Sequence, residues 1–187
     1  SSTHDLCVSK QPHRSQFVLI PHQFTISDQP QLIGFDCGSA LWEQSLSTWI
    51  TGQGVIDSMA RGTRVWIYKR NDDAIIGYGS LGTASWNWPK GEIPSTEHVS
   101  VIPAIAIQSE YHGEPHAGDK NDRYSAQVMT HLLTEAHNES TRFVVLEVHE
   151  SNGRAISFYE SFGFSKSKKR IKKSFGAEKH TYLIRLF

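Results

Sequence analysis

Apolar positions change their rhythm repeatedly along the chain, and each change predicts an element. Phe17-Val18-Leu19-Ile20 is a short apolar run closed by Pro21, which predicts a first strand. Leu41, Trp42, Ser45, Leu46, Trp49 and Ile50 then recur at helical spacing, so an amphipathic helix is expected to end near Gly52. Thr63 to Tyr68 is rich in β-branched and aromatic residues. With the turn residues Asn71-Asp72-Asp73 and the run Ala74 to Gly79, it predicts an antiparallel hairpin. Residues 84–97 carry Trp86, Trp88, Pro89, Gly91 and Pro94 and predict a long exposed loop, of the sort that lines substrate grooves.

The second half is more apolar. Val99 to Ile107 is nearly continuous, as in a strand buried on both faces; Pro103 has no N–H to give a ladder, so one edge there must be open or bulged. A helix is predicted over Tyr124–His137, with Val128, Leu132, Leu133 and Ala136 facing inward, followed by a buried strand Phe143–Val148. A short helix from Gly153 to Phe162 is stopped by Gly163, and Thr181–Phe187 predicts a last strand. Strand, helix, strand with two apolar strands is the βαβ pattern, which implies a parallel pair within a mixed α/β layer. We expect residues 1–16, polar and without periodicity, to form a flexible leader, and residues 17–187 one domain.

Charge and cysteine content narrow the class. The 187 residues carry 19 Lys+Arg against 19 Asp+Glu, so no global field gathers nucleic acid or a membrane. Cys7 and Cys37 form neither a disulfide framework nor a zinc spacing. With no long apolar run and no signal-peptide pattern, the expected location is the cytoplasm. His112 and His116 near Asp119 lack a fixed ligand set, so no metal is expected.

The stretch Val148-His149-Glu150-Ser151-Asn152-Gly153-Arg154-Ala155-Ile156-Ser157-Phe158-Tyr159-Glu160-Ser161-Phe162-Gly163-Phe164 resembles the signature of the GNAT N-acetyltransferases: a strand, then Asn, Ala, Phe-Tyr-Glu and Gly-Phe. Ile105-Ala106-Ile107-Gln108-Ser109-Glu110-Tyr111-His112-Gly113 is similar to that family's strand and the start of its acetyl-CoA loop. The resemblance covers roughly residues 99–165 well and the first half weakly. It implies a single-layer, largely antiparallel sheet with a central splayed parallel pair and helices on both faces. It also implies acetyl-CoA as cofactor, and transfer of its acetyl group to a primary amine on a small molecule or peptide by direct attack in a ternary complex.

The resemblance also assigns residues. Tyr159 matches the position whose phenol protonates the departing coenzyme A sulfur, and Asn152 the residue that touches the pantetheine arm. Ala155 and Phe158 accompany them in the cofactor set, as do Ile105, Ala106 and Ile107, the last being the candidate oxyanion donor through its backbone N–H. His112, Gly113, Arg123, Tyr124, Ser125 and Ala126 are expected at the pyrophosphate, because helix N-termini present unpaired N–H groups. Glu110, Glu147 and His149 are the candidate bases. The loop departs from the family: Ser125 lies 12 positions after Gly113, a longer interval than usual.

Other readings stand beside these. Tyr159 alone reads as helix core and Asn152 as a helix cap. Lys166, Lys168, Lys169, Arg170, Lys172 and Lys173 form a basic run that reads as a solvated hairpin, or else as an RNA-binding strip. Phe35-Asp36-Cys37-Gly38 before a Leu- and Trp-bearing helix resembles toxin-type GNAT proteins that acetylate aminoacyl-tRNA and pair with an antitoxin. The altered loop is equally compatible with a non-catalytic acyl-CoA-binding regulator. The neutral charge balance points away from nucleic acid, and a homodimer is left open.

Overall fold

The protein is described from a computed structural model, which defines residues 17–84, 91–94, 97–116, 119–168, 172–174 and 177–187. The proposed leader and the loop tryptophans Trp86 and Trp88 lie outside these residues. The strands are β1 (Ile20–Gln23), β2 (Arg64–Lys69), β3 (Ile75–Ala84), β4 (Val99–Ile102), β5 (Ile105–Ile107), β6 (Phe143–His149), β7 (Ser165–Lys166), β8 (Lys172–Ser174) and β9 (Ala177–Arg185). Among the described residues they form one nine-stranded sheet of order β1-β2-β3-β4-β6-β9-β7, with β5 beside β3 and β8 beside β9. The pair β4/β6 is parallel and the others are antiparallel.

Helices cover both faces. On one, α3 (Tyr124–Asn138) and α4 (Gly153–Ser161) bury Val128, Met129, Leu132 and Tyr159 against Tyr68, Ile76, Val144 and Leu146. On the other, α1 (Leu41–Trp49) and α2 (Gln53–Ala60) join a 3-10 segment, Ile26–Leu32; there Leu32, Ile50 and Val55 close over Val65, Ile67 and Tyr78. Gly79 permits the first of these packings, since a Cβ there would lie 3.0 Å from Leu132 and 3.2 Å from Val128.

Several boundaries differ from the sequence expectation: β3 runs on to Ala84, five residues past the expected Gly79, and the expected helix ends at Trp49 with α2 following it. The first strand begins at Ile20 and takes in Pro21, because β1 is an edge strand that pairs with β2 alone, and an edge tolerates a missing donor. The final strand begins at Ala177 rather than Thr181: Glu178, Lys179 and His180 carry little apolar signal, yet their backbone completes the ladder to Glu150, His149 and Val148. The apolar run 99–107 is two strands, not one. Gly82 pairs with Val101, but Gly79 pairs with Ile105, so the register advances by one residue and Pro103 is the extra residue of a β-bulge.

That bulge decides the shape of the sheet centre. Below it, Val99 to Ile102 pair with Phe143 to Leu146. Above it, β5 stays with β3 while Glu147, Val148 and His149 stay with β9, so the two central strands part. Gly77 is what lets β5 lie so near β3: a Cβ there would fall 2.3 Å from the Ala106 carbonyl oxygen.

Candidate functional site

The opening between β5 and β6 is a cleft of about 250 Å³ whose walls include Ile105, Glu147, His149, Asn152 and Tyr159. Its backbone lining follows from the register. Gln108 N–H donates to Ile76 O at 2.9 Å and Ser80 N–H to Ala104 O at 2.9 Å, so the even-numbered residues of β5 face β3. By the alternation of an antiparallel ladder, Ile105 and Ile107 turn their backbone groups the other way, toward the cleft. On the opposite side, Glu150 N–H donates to Glu178 O at 2.9 Å, which puts Glu147 in the corresponding inward phase of β6. The Ile107 carbonyl accepts from His112 Nε2 at 2.9 Å, leaving its N–H as the group directed into the opening.

Tyr159 is carried to the cleft by α4, 9% exposed, with its ring beside Phe158 and Phe164. Burial pushes its phenol up to about 12, so it is protonated at neutral pH. Asn152 caps α4, its side-chain oxygen accepting from Ala155 N–H at 3.1 Å. The cap reading is therefore satisfied, and the same residue also lines the cleft. His149 is 4% exposed and stacks on Trp42, with centroids 5.5 Å apart and planes at 30°. Its pKa lies below the ordinary histidine value, first because burial disfavours the cation and then because of Lys179, against a smaller opposing pull from Glu150. Glu147 and His149 thus both line the cleft, whereas Glu110 is exposed on a 3-10 turn, Ser109–Tyr111, beyond β5 and outside the lining.

The long loop proves to be an excursion. Tyr124 N–H donates to Glu114 O at 2.9 Å, so Gly113-Glu114 meets the start of α3 directly. His112, Gly113, Tyr124, Ser125 and Ala126 are brought together outside the lining, at the mouth beyond the end of β5 where His112 meets the Ile107 carbonyl, despite the interval between them in sequence. Gly113 has φ +79°, a conformation that favours glycine. Arg123 is the N-cap of α3 with no side-chain cap bond, so the N–H groups of Ser125 and Ala126 lack the usual side-chain acceptor. Arg154, exposed on the first turn of α4, reaches across the mouth and donates to His112 Nδ1 at 3.3 Å. His116 instead pairs with Glu114 at 3.0 Å.

The other mouth is built from the first half of the chain. Phe35 packs on Tyr78 with centroids 5.3 Å apart, and Cys37 is 3% exposed beneath α1, its N–H donating to Ser47 Oγ at 3.0 Å. Tyr78 donates to Leu46 O at 2.7 Å and stacks on Trp49, fixing α1 to the sheet. Ser109 N–H donates to Asp36 O at 2.8 Å, tying the same segment to the end of β5. Consequently Trp42 and Trp49 become cleft walls, and Lys179 of β9, paired in register with His149, joins them. Sequence reasoning missed all three as site residues. The tryptophans carried a signal, being two large aromatics on the same face of α1 as Leu46, more apolar surface than packing that helix on the sheet requires; Lys179, in a polar strand, carried none.

A bulged, splayed parallel pair with an inward backbone lining and a buried phenol, and beyond it a helix start without a side-chain cap, make up the cleft. Residues 36–164 match the Acetyltransferase (GNAT) family. The chain belongs to that family. Among solved structures it is similar to the spermidine/spermine N-acetyltransferase SpeG from Vibrio cholerae, at 16% identity and TM-score 0.60 over 92% of this chain and 94% of that one. A GNAT family acetyltransferase from Elizabethkingia anophelis, solved with acetyl-CoA bound, aligns at 15% identity and TM-score 0.55 over 90% and 98% of the two chains. The AtaT toxin, solved bound to the C-terminus of the antitoxin AtaR and acetyl-CoA, aligns at 16% identity and TM-score 0.59 over 89% and 92%. At these identities the likeness is one of fold. No curated protein matches the chain by sequence.

Proposed function

We propose that the protein is an N-acetyltransferase that uses acetyl-CoA to acetylate a primary amine by direct attack. The observation that carries this reading is the parted strand pair, because Ile105 and Ile107 on one side and Glu147 on the other offer backbone partners to an extended ligand lying as a substitute strand. Acetyl-CoA supplies the activated acyl group. The residues at the α3 mouth suit its pyrophosphate: unpaired N–H groups at a helix start, with Arg123 and Arg154 adding charge.

The remaining chemistry belongs to the chain. The Ile107 N–H donates to the acyl oxygen as negative charge develops there. Tyr159 gives its proton to the departing sulfur. His149, kept neutral by burial, takes the amine proton directly or through water, with Glu147 beside it as the alternative base. Direct attack fits the lining, which contains no cysteine among the described residues; Cys37 is buried under α1 and burial raises its pKa. Calorimetric titration with acetyl-CoA and thiol release over an amine panel test the reading. Absence of binding at millimolar acetyl-CoA would remove it, and binding without turnover on any amine would leave a regulatory acyl-CoA binder.

A second reading rests on the Phe35-Asp36-Cys37-Gly38 segment, which the fold uses to anchor the wall-forming helix α1. It makes the acceptor the amino group of an aminoacyl-tRNA, as in toxin-type GNAT proteins. Labelled acetyl transfer to charged tRNA, compared with uncharged tRNA, tests it; equal labelling of both, or none, removes it.

A further inference from the structure

Resting on the transferase reading, we infer that the acceptor is an amine carrying an apolar, flat body and an anionic group, and that Lys179 selects it. The α1 side of the cleft presents two indole rings, Trp42 and Trp49, with Leu46 between them on the same helix. Flat aromatic walls of this kind favour an apolar or aromatic body over a solvated chain. The charge on this side is equally defined: among the described residues Lys179 is the cation in the lining and Glu147 the carboxylate.

Three observations place the Lys179 charge where an acceptor would feel it. Its Cα is in register with that of His149 across the β6/β9 ladder, it lines the cleft, and its positive charge is one of the two influences that lower the His149 pKa. A polyamine would bring a second ammonium past Trp42 toward that lysine, where Glu147 is the lining carboxylate among the described residues and Glu150, whose pull on His149 is smaller than the Lys179 effect, lies outside the lining. An amine that carries a carboxylate or a phosphate reverses the sign. Its anion meets Lys179, while the same field lowers the pKa of the attacking amine and raises the fraction present as the nucleophilic free base. Lysine is suited to this role as a flexible point charge that accepts either anion.

The test uses pairs of amines matched in body and differing in charge: tryptophan against tryptophanamide for a carboxylate, tyramine O-phosphate against tyramine for a phosphate, and spermidine as the polycation. Initial rates of thiol release on the full chain give kcat/KM for each. We expect at least one anionic member to exceed its neutral partner by about tenfold or more and spermidine to be the poorest, with the preferred pair naming the anion. Lys179→Glu should invert the order and Lys179→Met level it, both with acetyl-CoA affinity unchanged by calorimetry. Spermidine as the best substrate, neutral partners equal to the anionic ones, no turnover of any of these amines, or an unchanged order in Lys179→Glu would each overturn the inference while acetyl-CoA binding stands. Loss of acetyl-CoA binding in the unmodified protein would instead overturn the transferase reading itself.

Discussion

Tyr159 and His149 make opposite uses of burial. Desolvation disfavours the charged form of each, so the phenol holds its proton more tightly while the imidazole releases its own. One group is left as a proton donor and the other as an acceptor at the same pH. Tyr159→Phe removes the donor and little volume, so kcat should fall by about a hundredfold with KM for acetyl-CoA within about twofold. Unchanged kcat in steady-state assays would show that solvent protonates the sulfur. For His149, the base is active when neutral, and its pKa is lowered from the usual 6.5. The acid limb of kcat/KM should therefore lie below that value, with the rate lost as pH falls through it. His149→Gln should abolish the limb. If the limb persists unchanged in that variant, His149 is not the base. Lys179→Met removes the second cause of the lowered pKa, so its limb should move upward in pH.

At the scale of elements, the sequence and the fold disagree where a backbone event has no side-chain period. The helices α3 and α4 and the strand β6 were legible, because an apolar stripe or run spans each of them. The break between β4 and β5 was not, since Val99 to Ile107 is nearly continuously apolar; Pro103 alone hinted at it, and only the one-residue advance in register shows which strands part. The long loop was misleading in another way, as its length in sequence says nothing of the bond that closes it. Because Tyr124 N–H already meets Glu114 O, a chain lacking residues 115–122 should keep acetyl-CoA affinity within about threefold by calorimetry, the helix start being preserved. A loss beyond about tenfold would place cofactor contacts in the excursion itself. Gly77 makes the reverse case, a residue that reads as ordinary strand but whose missing side chain sets the cleft. Gly77→Val would drive a Cβ against the Ala106 carbonyl, and should lower unfolding free energy by about 1–3 kcal/mol in denaturant titration.

For the molecule as a whole, the opening is the place where a continuous sheet gives up pairing in its middle. Strand β5 is held from one side by β3, and the upper part of β6 from one side by β9, so each half has an edge that faces its neighbour without bonding it. A ligand that lies between them restores the ladder and couples the halves. Saturating acetyl-CoA, at a hundred times its dissociation constant, should add about 2.7 kcal/mol to stability. For a chain of this size that raises the melting temperature by roughly 5–10 °C. Amide exchange locates the effect, because the phase of the ladder differs between adjacent residues. The Ile105 and Ile107 amides face the cleft and should slow on binding, whereas the Ala106 amide, already directed at β3, should change little. Equal slowing at all three would mean that the ligand rigidifies β5 from outside, without entering as a strand.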